Sequence, residues 1–246
     1  MKPNTTLVIN TKGGSGKTTV TTNLASYFAS KRVPTAVMDF DPQGSTLAWL
    51  GVRGPQAFRI HGANAAPQRT GLRSFAMQVP ADTRQLIIDA PAGASGMLLQ
   101  DMLARADAIL IPVASSAIDI RATANFIRDL LLSGRIRARN LRLGVVANKV
   151  RKSMPVYEPL ERFLSSLKLP LLTRLSDSDA FLKAAETGLG IYEMDFSQSF
   201  AEREQFQPIV EWVENGRSFP QAEEKVVALR VPPRFPSVRG DIAAPR

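Results

Sequence analysis

A doubly wound α/β domain, with a mostly parallel sheet and helices on both faces, follows from three observations. Short apolar runs alternate along the chain with longer helix-like stretches, and that alternation builds parallel sheets. Several of the runs are apolar throughout, as strands covered on both faces must be. Two of them end on a carboxylate, Asp39 or Asp89, and another on Asn148, and open parallel sheets bind ligands at the carboxyl ends of their strands. The expected strands are Leu7–Asn10, Ala36–Asp39, Leu86–Asp89, Ala108–Pro112 and Leu143–Asn148, with a further candidate at Leu169–Leu172. Helical patterns lie near 17–31, 95–105, 119–133, 156–168 and 201–215.

The first strand runs into Lys12-Gly13-Gly14-Ser15-Gly16-Lys17-Thr18-Thr19, which opens the first helix. The Gly-Lys-Thr end fits a phosphate-binding P-loop, although Thr11 stands where the first glycine of that pattern would be. Glycine tolerates φ > 0 and lets backbone approach a ligand closely. The N–H groups of Gly13, Gly14, Ser15 and Gly16, with the positive helix end at Lys17, Thr18 and Thr19, then surround a polyphosphate. Lys17 reaches its β- and γ-phosphates, and the Thr18 hydroxyl is a ligand for Mg²⁺. The next strand closes on Asp39-Phe40-Asp41-Pro42-Gln43-Gly44. Alternation along the strand end sets Asp39 and Asp41 on one side, facing one pocket. The third motif, Asp89-Ala90-Pro91-Ala92-Gly93, ends a continuous apolar run. Asp89 is there as a carboxylate for Mg²⁺ held through water, and Gly93 lets a loop approach the γ-phosphate. Pro112 to Asp119 leads from the fourth strand to its helix, and Asn148 ends the fifth. An amide at that strand end offers both donor and acceptor to an adenine edge.

The early lysine, Lys12, narrows the class. Lys12 to Thr19 resembles the deviant Walker-A motif of the ParA/MinD family of ATPases. Asp39 to Gly44 resembles that family's DxDPQG, and Asp89 to Gly93 its DxPxG, in the family's order and spacing. The likeness is closest to small ParA-type partition and cargo-positioning ATPases and extends over about residues 6–215. It implies an ATP-dependent homodimer in which Lys12 reaches across to the phosphates of the other subunit. It implies catalytic roles for Lys12, Lys17 and Asp41, the last orienting the attacking water, with Asp39 supporting the Mg²⁺ and lysine network. Pro112 to Asp119 resembles a dimer-interface stretch of these proteins, and serves equally as an ordinary strand-to-helix connection. The resemblance also implies non-specific DNA binding on a basic surface, carried over here to Arg174 and Lys183, and a cargo-bound activator protein that triggers hydrolysis. The cargo stays open: a plasmid, a chromosome or a protein assembly such as a carboxysome.

Composition sets bounds. A hydrophobic share of 44% supports a substantial core. The absence of cysteine excludes disulfides, zinc–thiolate sites and iron–sulfur clusters, and with them the nitrogenase iron protein. The 31 Lys and Arg residues against 22 Asp and Glu give a net charge of +9, which favours a polyanionic partner: nucleic acid first, anionic lipid second. Met1 to Thr5 lead straight into the first strand, so neither a signal peptide nor an N-terminal helix-turn-helix is expected. With no apolar run near the ~18 residues of a membrane span, a cytoplasmic, nucleoid-associated protein is expected. A MinD-like membrane ATPase would need a basic amphipathic helix near its end, whereas 201–215 carries Glu202, Glu204, Glu211 and Glu214. A P-loop metabolic enzyme is disfavoured by Lys12, the paired Asp39 and Asp41, and the net charge. Residues 52–83 read as an irregular excursion. The ATPase domain is expected over 1–216, and 217–246, with six basic and three acidic residues and five prolines, as an extended or disordered tail.

Overall fold

The structure, a computed structural model, describes residues 2–67, 78–151 and 158–216. In chain order the elements are β1 (Asn4–Val8), α1 (Lys17–Ser30), β2 (Thr35–Asp39), α2 (Ser45–Val52), β3 (His61–Asn64), β4 (Gln85–Asp89), α3 (Gly96–Arg105) and β5 (Ala108–Ala114). There follow α4 (Ala117–Leu132), α5 (Arg135–Ala138), β6 (Arg142–Val150), α6 (Glu158–Ser166), β7 (Leu171–Ser176), α7 (Asp179–Thr187) and α8 (Phe196–Glu214). The seven strands form one sheet in the order β3-β2-β4-β1-β5-β6-β7, and every pair is parallel. The chain leaves β1 toward β2 on one side and later returns to place β5 on the other. The carboxyl end of β1 is therefore a topological switch point, where such sheets open a crevice for a ligand.

Side chains alternate between two cores. Leu7 and Ile9, Leu86 and Ile88, Ile109 and Ile111, and Leu143 and Val145 face a cluster closed by α3, α4 and α6. Val8, Ile87, Leu110 and Val146 face the opposite cluster, closed by α1, α2, α7 and α8. The strand period of two explains why one continuous apolar run serves both layers. Trp49 is buried and Trp212 packs against the second cluster, so both tryptophans belong to the core.

The structure adds α2, α5 and α7 to the five expected helices, and elsewhere it shifts element ends. β1 begins at Asn4 rather than Leu7, β7 extends to Ser176, and α8 begins at Phe196 rather than near 201. Inside the irregular stretch lies β3, paired with β2 from Ala36–His61 to Asp39–Asn64. Of its residues only Ala63 is buried, so this short edge strand carries no apolar signal. The expected tail, 217–246, lies outside the described residues.

Candidate nucleotide site

The P-loop turns because its glycines take conformations other residues avoid. Gly14 has φ 76°, and Gly16, the residue before α1, has φ 91°. No atom lies within 4 Å of where a Cβ would stand on Gly13 or Gly14, so their backbone faces open space. At Gly16 a Cβ would stand 1.8 Å from Asn148 Nδ2, so the loop is pressed against the end of β6 there. Lys17 is 8% exposed and its ammonium donates to the Lys12 carbonyl at 3.3 Å. Burial lowers its pKa, against an opposing pull from Asp89 and Asp41.

Asp39 and Asp89 are register partners on β2 and β4, and Val8 of β1 is in line with them. One Asp89 oxygen, Oδ2, accepts the Thr46 hydroxyl at 2.6 Å and the Thr18 hydroxyl at 2.9 Å. The other, Oδ1, is buried without a hydrogen-bond partner. Burial is the main reason the Asp89 carboxyl is pushed up to about 6, with Asp39 adding to the rise while Thr46, Thr18 and Lys17 oppose it. Such an orphaned buried carboxylate oxygen calls for an explanation, and a hydrated cation beside a polyphosphate supplies one. Among the described residues no group of three or more acidic, histidine or cysteine side chains is placed to hold a metal. That suits Mg²⁺, which keeps several waters and binds through one or two protein groups plus substrate phosphates. Thr18 and Asp89 fit that role. The Asp39 carboxylate also serves the backbone: its Oδ1 accepts the Asp41 N–H in the turn, and its Oδ2 accepts the N–H groups of Thr46 and Leu47 at the start of α2. Asp41 is partly exposed beside it, and its carboxylate accepts the Gln43 N–H at 2.9 Å.

Three long-range ties hold the loop. Asn10, fully buried, donates to the Pro112 carbonyl and the Thr123 hydroxyl and accepts the Lys12 N–H. Gly93, at φ 71°, donates its N–H to the Thr11 carbonyl, which fastens the third motif to the P-loop. Asn148 is 3% exposed and its amide nitrogen donates to the Ser15 carbonyl at 3.0 Å. The amide expected at an adenine edge is thus used to position the loop. Lys12 lies outside this packing, 44% exposed at its side chain, and its ammonium is 3.7 Å from Asp119 at the first turn of α4.

Residues 6–191 match the family model described as the CobQ/CobB/MinD/ParA nucleotide binding domain. The chain belongs to this family. As a ParA/MinD-type ATPase it is similar to the "Maintenance of carboxysome distribution protein A" of Halothiobacillus neapolitanus, at 24% identity over 77% of this chain and 87% of the relative. Among solved structures it is similar to the ATP complex of Cyanothece McdA (TM-score 0.66, 14% identity, covering 91% of this chain and 99% of that one). The cell division ATPase MinD of Pyrococcus furiosus is comparable, with TM-score 0.65, 19% identity, and coverage of 87% and 99%. At these identities the two structures establish the fold.

In this ParA/MinD-type ATPase the two residues carried over as DNA contacts lie on neighbouring elements. Arg174, on β7, is ion-paired with Glu161 of α6. Lys183, exposed on α7, lines an open hollow that Glu186, Glu193 and Asp195 also line. Arg142 is buried, stacked 4.7 Å from the Trp212 ring and donating to the Trp212 carbonyl. Asn10, Thr46 and Thr123 are site residues that no motif singled out. Thr46 alone had a local signal, since it stands one turn beyond the paired aspartates. Among the described residues no helix is long and apolar enough to cross a membrane.

Proposed function

We propose that the protein is an ATP- and Mg²⁺-dependent dimerising ATPase that binds DNA without sequence preference and partitions or positions a cargo, released when a cargo-bound partner stimulates hydrolysis. One observation carries the reading. Two lysines share one phosphate loop, and they are disposed differently: Lys17 is buried, whereas the Lys12 side chain is 44% exposed with its ammonium 3.7 Å from Asp119. A single bound nucleotide is served by Lys17. An exposed ammonium beside the same loop suits a phosphate brought by a second copy facing it.

Within one subunit, Lys17 and the loop N–H groups hold the polyphosphate. Thr18 and Asp89 would hold a hydrated Mg²⁺, which would supply charge neutralisation at the terminal phosphoryl group. Asp41, the partly exposed carboxylate of the pair, orients water, and Asp39 keeps it placed by accepting its N–H. The similarity to a carboxysome distribution protein supports a positioning role, and the similarity to the chromosome-partitioning ATPase Soj of Thermus thermophilus (28% identity over 49% of this chain and 59% of the relative) supports a partitioning one. The net charge of +9 supports a polyanionic surface as the track.

The test is binding of unrelated DNA duplexes with ATP, ADP or no nucleotide across a salt series. Binding should require ATP, ignore sequence and weaken steeply with salt, because its affinity comes from phosphate neutralisation and counterion release. Absent DNA binding with ATP-dependent recruitment to anionic vesicles would replace this reading with a membrane-positioning one.

A further inference from the structure

Thr46 has no role in the reading above, yet it is fully buried at the centre of the site. It is the second residue of α2, and both of its polar groups are directed at the aspartates. Its N–H donates to Asp39 Oδ2 at 3.1 Å, and its hydroxyl donates to Asp89 Oδ2 at 2.6 Å. Thr18 donates to that same Asp89 oxygen at 2.9 Å. A hydroxyl has one proton and two lone pairs. With its proton given to Asp89, Thr18 keeps its lone pairs for a cation. Asp89 in turn has two protons on one oxygen and none on the other, so its carboxylate plane is fixed with Oδ1 unpartnered.

We propose that Thr46 is a positioning residue for the cation site: its hydroxyl holds one oxygen of Asp89 so that the other stays directed at the hydrated Mg²⁺. Because the Thr46 N–H is held by Asp39, this orientation is rigidly tied to α2 and to the Asp41 turn before it. Removing the Thr46 proton leaves Asp89 anchored by Thr18 alone, the very group that must also meet the cation. The inference rests on the proposed use of Asp89 and Thr18 for Mg²⁺. Removing a group that hydrogen-bonds and orients a metal's ligand typically changes metal affinity 10- to 100-fold.

The experiment compares wild type, Thr46→Val, Thr46→Ser and Asp89→Asn for equilibrium binding of a fluorescent ADP analogue, first in EDTA and then across a Mg²⁺ titration. The valine is nearly isosteric and removes only the proton donor. It should bind the analogue in EDTA within about 2-fold of wild type but need ~10-fold more Mg²⁺ to reach the tightened state, and serine should restore the wild-type Mg²⁺ midpoint. A merely structural role would change both binding curves alike, or neither. Should the valine fail to fold by urea titration, Thr46→Ala removes the same proton with less bulk and carries the same expectation. A wild-type Mg²⁺ midpoint in the valine or alanine variant, while Asp89→Asn loses the Mg²⁺ response, would overturn the role of Thr46 and leave that of Asp89 standing. A normal Mg²⁺ response in Asp89→Asn would overturn the cation reading itself and the inference with it.

Discussion

Replacing Asp89 with asparagine should stabilise the nucleotide-free protein, although it removes the carboxylate assigned to the cation. The side chain is 2% exposed between β1 and β2, and burial pushes its carboxyl up to about 6 from 3.8. At about 1.4 kcal/mol per pH unit, that difference is ~3 kcal/mol against the ionised folded state. The sign follows from proton linkage. Between 3.8 and about 6 the folded state holds a proton that the unfolded chain has released, so stability falls as pH rises through that window and is flat above it. Asparagine keeps an oxygen for the Thr18 and Thr46 hydroxyls and carries no charge. Asparagine and wild type should therefore be about equally stable near pH 4 and separate to ~3 kcal/mol in favour of asparagine above pH 6. Burial raises Asp39 as well, and it adds slope to both proteins, so the difference between them isolates Asp89. The assay is urea unfolding in EDTA at closely spaced pH values, read as midpoint shifts at unchanged m-value. A gap of constant size across pH, or an asparagine variant less stable at every pH, would refute the argument that buried charge at Asp89 strains the empty site.

What the sequence made legible was what short chain segments dictate by themselves. The glycines of the P-loop, the carboxylates at strand ends and the two-residue alternation each depend on local geometry, and the structure places Gly16, Lys17, Thr18, Asp89 and Gly93 around one switch point. Asn10 was out of reach because its partners, Pro112 and Thr123, lie 102 and 113 residues away. The same distance hid the bond that the Asn148 amide nitrogen donates to a carbonyl 133 residues earlier. Charges were the least readable. A run of basic residues in sequence says nothing about Glu161 beside Arg174, the acidic neighbours of Lys183 or the indole under Arg142. The motif also gave no sign of the backbone bonds that Asp39 makes: a strand followed by a helix leaves N–H groups to satisfy, and the nearest carboxylate takes them.

Lys12→Ala should leave nucleotide affinity within a few-fold of wild type but abolish ATP-dependent dimerisation and hydrolysis, measured by equilibrium binding and size-exclusion chromatography; normal dimers would remove Lys12 from the interface. Gly190→Ala should destabilise by about 1–3 kcal/mol in urea, because its Cβ would stand 2.5 Å from Cβ of the fully buried Ser26. The largest loss is expected at Glu193→Ala. Its carboxylate meets Arg53 at 2.6 and 3.0 Å and also accepts the Gly190 N–H, with the two side chains only 7% and 4% exposed. Arg53 donates further to the Gly188 and Phe58 carbonyls and stacks 4.7 Å from the Trp49 ring. Removing Glu193 leaves that guanidinium buried without its counter-charge, which costs about 3–5 kcal/mol, a large part of the ~5–15 kcal/mol that stabilises a typical domain. Removing Arg53 as well takes away the stranded charge, so Arg53→Ala/Glu193→Ala should be more stable than the sum of the single losses by roughly 1–3 kcal/mol. Additive losses in that cycle would mean that the pair is not coupled, and that the join between α2 and the Gly188–Glu193 connection rests instead on the Trp49 bond to the Leu189 carbonyl.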